Sequence, residues 1–158
     1  MSVEAATLHR RWLQERPQDY ADQVRARIEP GLYYPATRYV EALAMRGPLA
    51  REWIEKAIGA ADCAIIPTLP VPVPTIAETT EGSPADVAAK IGLVTRHTRA
   101  INYLGLPALA VPCGFSSSGL PMSFMLVGRP WSEPLLLRIA DAYQRVTDWH
   151  SRIPAHLD

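Results

Sequence analysis

The chain has 158 residues, 48% of them apolar and 20% charged, a composition that suits one globular domain or part of a larger one and argues against disorder. Sixteen basic residues balance sixteen acidic ones, so no charge excess points to nucleic acid or an anionic membrane as partner. No apolar run approaches the length of a membrane span and Met1-Ser2-Val3-Glu4 does not read as a secretory leader, so a soluble, cytoplasmic protein is expected.

The first part of the chain is helical in pattern. Residues 4 to 16 place Leu8, Trp12 and Leu13 on one helix face. Pro17 fits the first turn of a second helix, in which Tyr20, Val24 and Ile28 recur every four residues until Pro30-Gly31 breaks it. A third helix covers residues 36 to 46, and Gly47-Pro48 is expected to end or kink it. Residues 49 to 60 resume the helical spacing, with Trp53, Ile54 and Ile58 inward.

The pattern changes at Asp62. Cys63-Ala64-Ile65-Ile66 is a short continuous apolar run ended by Pro67, which predicts a strand buried on both faces. Five prolines (Pro67, Pro70, Pro72, Pro74 and Pro84) make residues 67 to 84 an expected extended loop. Residues 85 to 104 return to helical spacing through Val87, Ile91, Val94 and Ile101, and Gly105 with Pro107 stops them. Ala108 to Val111 is a second strand, closed by Pro112, and Met122 to Val127 a third; the Ser116–Gly119 turn between them predicts a hairpin. Ser132 then caps a last helix running to about Trp149, with Leu136, Ile139, Ala140 and Tyr143 inward. Three strands, one of them far from the others in sequence, make a poor isolated sheet and read as part of a bigger one.

Few residues carry obvious chemistry. Only Lys56 and Lys90 are lysines, so the other fourteen basic residues are arginines. Lys56 lies beside Glu52 and Glu55 at helical spacing, where a surface ion pair suffices, and Lys90 is expected to be exposed on its helix. Cys63 and Cys113 have no metal or redox spacing and read as buried, reduced thiols. His9, His97, His150 and His156 share no zinc spacing, and His97, flanked by Arg96 and Thr98, reads as a helix-surface histidine. No metal and no cofactor is expected.

Five short motifs nevertheless occur in a telling order. They are Arg27-Ile28-Glu29-Pro30-Gly31; the apolar strand from Asp62 ending in Pro67-Thr68; Asn102-x-x-Gly105-x-Pro107-Ala108-x-x-x-Pro112-x-Gly114; Gly119-Leu120-Pro121 followed by Leu126-Val127-Gly128; and Ser132-Glu133-Pro134-Leu135-Leu136. Each is weak alone. Together, across nearly the whole chain, they resemble the C-terminal segment of the amidase-signature family. The resemblance implies an α/β fold, a partial amidase-signature domain over 1-158. Its residues 1-61 would be mainly helical, and 62-158 would supply a few strands of a mixed sheet with flanking helices.

The resemblance also implies hydrolysis of carboxamide C–N bonds by a Ser–cis-Ser–Lys triad. In the family the triad's Gly/Ser-rich motif lies in the N-terminal part, and no such motif occurs here. Gly114-Phe-Ser-Ser-Ser-Gly119 is the nearest imitation, but it lacks the paired glycines and falls in a hairpin turn. No catalytic residue is therefore assigned. In relatives the helix before Asn102 contributes to the substrate channel, which makes Gly92, Thr95 and Arg99 candidate substrate-binding residues; Arg27 stands in place of a substrate-facing arginine of some members. Read without the family, Arg27 and Arg99 bind helix-end carbonyls or carboxylates, and Asn102 satisfies local backbone. Thr95 stands near where glutamine-using amidotransferases carry an acidic residue. Ser123 and Met125 replace a usual Gly and Gln.

The expected partners follow from the missing motif: an N-terminal amidase half, or a second copy, with a small amide as substrate once the site is completed. Two other functions compete. One is a non-enzymatic module that captures a partner or itself through strand faces left open. The other is an autonomous serine hydrolase built on Ser116, Ser117 or Ser118.

Overall fold

The computed structural model describes residues 1–153. They cluster into two compact units, residues 1–48 and the described residues from 49 onward. His156 lies outside the described residues.

The first unit is helical. Helix α1 (Ser2–Glu15) buries Ala6 and Leu13, two turns apart on one face. The expected inward face holds only in part: Leu13 is buried as expected, but Leu8 is 77% exposed and Trp12 is 45% exposed. The face is chosen by Gly31, whose Cα lies so close to α1 that an added Cβ would collide with the Ser2 carbonyl and the Ala6 methyl. Only small groups fit that contact, so Leu8 and Trp12 turn outward while Leu13, further along the helix, stays buried. The expected second helix is split into a 3-10 turn (Pro17–Asp19) and α2 (Asp22–Ile28), and Pro30-Gly31 sits in another 3-10 turn (Glu29–Leu32).

Helix α3 (Ala36–Trp53) runs through Pro48 rather than stopping there, and continues as a π turn (Ile54–Ile58). A proline inside a helix deletes one backbone hydrogen bond and strains the turn before it, and here the turns on either side carry the helix past it. The π turn ends at Gly59, in positive φ (55°), with its N–H on the Ile54 carbonyl at 2.9 Å.

The second unit is built on a three-stranded antiparallel sheet of order β1-β3-β2. Its strands are β1 (Ala64–Pro67), β2 (Ala108–Phe115) and β3 (Pro121–Val127). The β2–β3 hairpin is as expected, closed by the Gly119 N–H on the Ser116 carbonyl at 3.0 Å. Every pairing among the described residues is antiparallel, so the expected mixed sheet is not seen in this part of the fold. The register pairs Ala64 and Ala108 with Val127, and Ile66 and Ala110 with Met125. These residues share one face, on which Ile101 and Leu106 close a buried cluster supported by Trp53 and Ile54. The opposite face holds Leu126 and Val111, packed on Leu136 and Ala140.

Helices thus cover the sheet on both faces, but β1 is one of its two edges. Ile65 is accordingly 66% exposed, contrary to the expectation of a strand buried on both faces. Strand β2 does not close at Pro112. It continues to Phe115 through a bulge between Pro112 and Gly114, because β2 is paired on one side only and a proline costs no ladder bond on an open edge.

Three helices lie between β1 and the hairpin. The proline-rich loop holds α4 (Ile76–Thr80), which the proline count had hidden. Thr75 and Glu78 form a reciprocal capping box: the Glu78 N–H donates to Thr75 Oγ1 at 3.2 Å, and the Thr75 N–H donates to Glu78 Oε2 at 2.9 Å. The expected helix 85–104 is two helices, α5 (Pro84–Val94) and α6 (Arg96–Leu104), broken at Thr95. Gly105, left-handed with φ 71°, stops α6. Helix α7 (Glu133–Gln144) follows the hairpin and ends before Trp149, which belongs to a separate 3-10 turn (Trp149–Ser151). Among the described residues no helix is long and apolar enough to cross a membrane.

Candidate functional site

Thr95 ends α5 and begins α6, and that single break brings three of the four candidate binding residues together. The Arg99 backbone N–H donates to the Thr95 carbonyl at 2.9 Å. From the next turn, the Arg99 guanidinium reaches back and its Nη2 donates to the Gly92 carbonyl at 2.9 Å. Thr95 Oγ1 donates to the Ile91 carbonyl at 2.8 Å. Arg99 thus caps a helix end, as its residue type alone allows, while its side chain remains exposed with further N–H donors. A Cβ at Gly92 would meet Arg99 Nη2 at an ordinary 3.5 Å, so close packing does not require glycine there. Arg27 belongs to the first unit, exposed on α2. It lines neither of two clefts in that unit, the larger of about 540 Å³ between α1 and the Gly31–Tyr34 segment.

Three residues not singled out for binding stand at the C-terminal end of β1. His97, in the first turn of α6, bonds through Nδ1 to the Pro67 carbonyl at 2.8 Å. It is half-buried and engaged, not a free surface histidine. The Thr68 N–H donates to the Ser123 carbonyl at 3.2 Å, and Ser123 Oγ donates to Thr68 Oγ1 at 2.9 Å. The hydroxyl pair depends on the β1–β3 register, which no local sequence signal announces. Two residues along β3, Met125 is 5% exposed inside the Ile101 cluster, an apolar site where the family's glutamine would bring an amide.

The remaining reactive groups are dispersed. Lys56 Nζ lies 2.6 Å from Glu52 Oε1, and Lys90 Nζ lies 3.1 Å from Glu78 Oε1, both on exposed helix surfaces. Ser116 Oγ bonds to Ser118 Oγ at 2.8 Å and accepts the Leu120 N–H at 3.1 Å, which is the hydrogen bonding of a hairpin turn. Cys63 and Cys113 are free and half-buried rather than buried, and burial, with Asp62 adjacent, pushes the Cys63 thiol above its usual range. Among the described residues no cluster of three or more His, Cys, Asp or Glu side chains is placed to hold a metal ion.

The amidase family model matches residues 2–137. The chain is 33% identical over 162 residues to a glutamyl-tRNA(Gln) amidotransferase subunit of Bordetella avium (strain 197N), covering 99% of this chain and 31% of that protein. It is 39% identical over 155 residues to an amidase of Pseudomonas putida, covering 98% of this chain and 33% of that one. A crystal structure of an amidase superimposes with a TM-score of 0.72 at 26% identity, over 88% of this chain and 32% of the other. The chain therefore spans about a third of the length of these relatives.

Proposed function

Since the chain belongs to the amidase family, we propose that it is the C-terminal portion of an amidase that hydrolyses carboxamide C–N bonds, and that it does so only when completed by the rest of the fold. The observation that carries this reading is the state of the two lysines. A Ser–cis-Ser–Lys mechanism needs a lysine held neutral beside a serine. Lys56 and Lys90 are each paired with a carboxylate on an exposed helix, and the hydroxyl partners of the Ser116–Ser118 turn lie within the turn itself. The triad must then come from the two-thirds of the family's length that this chain does not span.

In the completed enzyme this chain supplies substrate-facing groups: Gly92, Thr95 and Arg99 are the candidates of the second unit, and Arg27 is a separate candidate on the first. The partner is an N-terminal amidase half or a second copy of the chain. A relative named as one subunit of an amidotransferase fits a protein that works with others. A cytoplasmic location belongs to the same reading and fits two free thiols.

The test is an amide-hydrolysis assay of the pure chain, alone and mixed with the remaining two-thirds of the amidase from Pseudomonas putida. Turnover by the mixture and none by either part supports the proposal. Turnover by the chain alone overturns it, and loss of that turnover in Ser116→Ala, Ser117→Ala or Ser118→Ala would establish an autonomous serine hydrolase.

A second reading, a partner-binding or self-associating module without enzymatic activity, is favoured by one specific observation: Ile65 lies open on an edge strand whose core-facing neighbours are buried (Ala64) and half-buried (Ile66). Light scattering that shows a monomer, with no binding of a hydrophobic dye, removes it.

A further inference from the structure

We propose that His97 is a positioning residue that latches the start of α6 to the end of β1, with its imidazole held in the Nδ1–H form. The bond that carries this joins residues 30 apart in sequence: His97 Nδ1 to the Pro67 carbonyl, 2.8 Å. A carbonyl oxygen only accepts, so Nδ1 carries the proton and, in the neutral ring, Nε2 keeps its lone pair.

The location gives the bond its consequence. Pro67 is the last residue of the edge strand, and it has no N–H of its own to anchor it. The next residue, Thr68, is tied to β3 by its N–H and its hydroxyl. On the other side of the latch, His97 lies between Thr95 and Arg99, the residues whose bonds join α6 back to α5. One imidazole therefore fixes the Thr95–Arg99 turn against the Thr68–Ser123 hydroxyl pair. The positioning follows from the geometry alone. That these groups form part of an amide pocket rests on the amidase reading.

Nuclear magnetic resonance on the full chain tests the latch without any need for turnover. The ¹⁵N shifts of the neutral His97 ring should report protonated Nδ1 and unprotonated Nε2; the reverse pattern overturns the proposal. In His97→Ala, amide exchange at Thr68 should speed up by about five- to tenfold, the range expected for losing one hydrogen bond of ordinary strength. His97→Asn places an amide donor where Nδ1 stood and should restore slow exchange. His97→Gln places its donor where Nε2 stood and should not. Thr68 exchange that is equal in all three variants and wild type overturns the latch. If His97→Ala does not fold, the contrast between the Asn and Gln variants decides. Because these readouts are structural, a failed complementation assay bears on the amidase reading and leaves the latch standing.

Discussion

Arg129 Nη2 lies 2.6 Å from the Gly59 carbonyl, across 70 residues of sequence. Its Nη1 bonds the Ala61 carbonyl at 2.8 Å. Gly59 ends the π turn that follows α3, so one guanidinium gathers the carbonyl at that helix end and a second one two residues beyond it. Arg129→Ala should lower unfolding free energy by about 1–2 kcal/mol, a value discounted for the exposure of these bonds. Arg129→Lys, which cannot fork, should recover only part of it. Urea unfolding of the three proteins checks this, and equal midpoints would show that the clamp contributes nothing.

Two glycines from the recognised motifs should respond differently to alanine. At Gly31 a new methyl meets the Ser2 backbone and the Ala6 methyl, neither of which can swing aside. Gly31→Ala should cost about 1–3 kcal/mol and release α1, read as faster amide exchange along that helix. At Gly128 the first atom met is Ser132 Oγ, a hydroxyl that can rotate away, with the methyls of buried Leu136 next at 3.1 and 3.3 Å. Gly128→Ala should cost less, the loss centred on the Ser132 Oγ bond to the Arg129 carbonyl, 2.7 Å in the native chain.

Met125→Gln would install the residue the family usually carries. In this chain it puts an amide among Ile101, Leu106 and Val127. Without hydrogen-bond partners that amide should destabilise the protein by about 1–3 kcal/mol. Calorimetry of the two proteins measures it. A stabilised variant would mean that the cluster offers polar partners to the amide.

The short helix α4 should be acid-labile. The Thr75 backbone N–H, then Lys90 and the Thr75 hydroxyl, hold the Glu78 carboxyl below its usual value. A carboxyl lowered in the folded state adds stability above its unfolded pKa, near 4.5, and that contribution is lost as pH falls through the folded value. The protection factor at Glu78, the exchange rate corrected for the intrinsic pH dependence of amide exchange, should therefore fall on acidification below the ordinary carboxylate range. Glu78→Gln keeps an acceptor for the Thr75 N–H and should remove that fall in protection. Protection that falls identically in both proteins would place the acid-sensitive group elsewhere.

Much of the fold was legible in the chain itself. Helical spacing located α3, α6 and α7, and Leu136 with Ala140 is buried as that spacing requires. Gly119 and the serines before it marked the hairpin, and the ordered motifs pointed to the family. The capping box of α4 was also written in the sequence, as Thr75-x-x-Glu78, but five prolines masked it.

What the sequence determined by itself is what depends on neighbours a few residues apart: periodicity, turns, caps, and the absence of the family's nucleophile motif. Tertiary structure alone decided that Ile65 faces solvent, that Leu8 and Trp12 turn outward, and that His97, Arg129 and Ser123 find partners 30, 70 and 55 residues away. The reason is physical. Which side of a strand or helix is covered, and which donor meets which acceptor, depends on pairing order and on the close approach of backbones, and neither is encoded in any local run of residues.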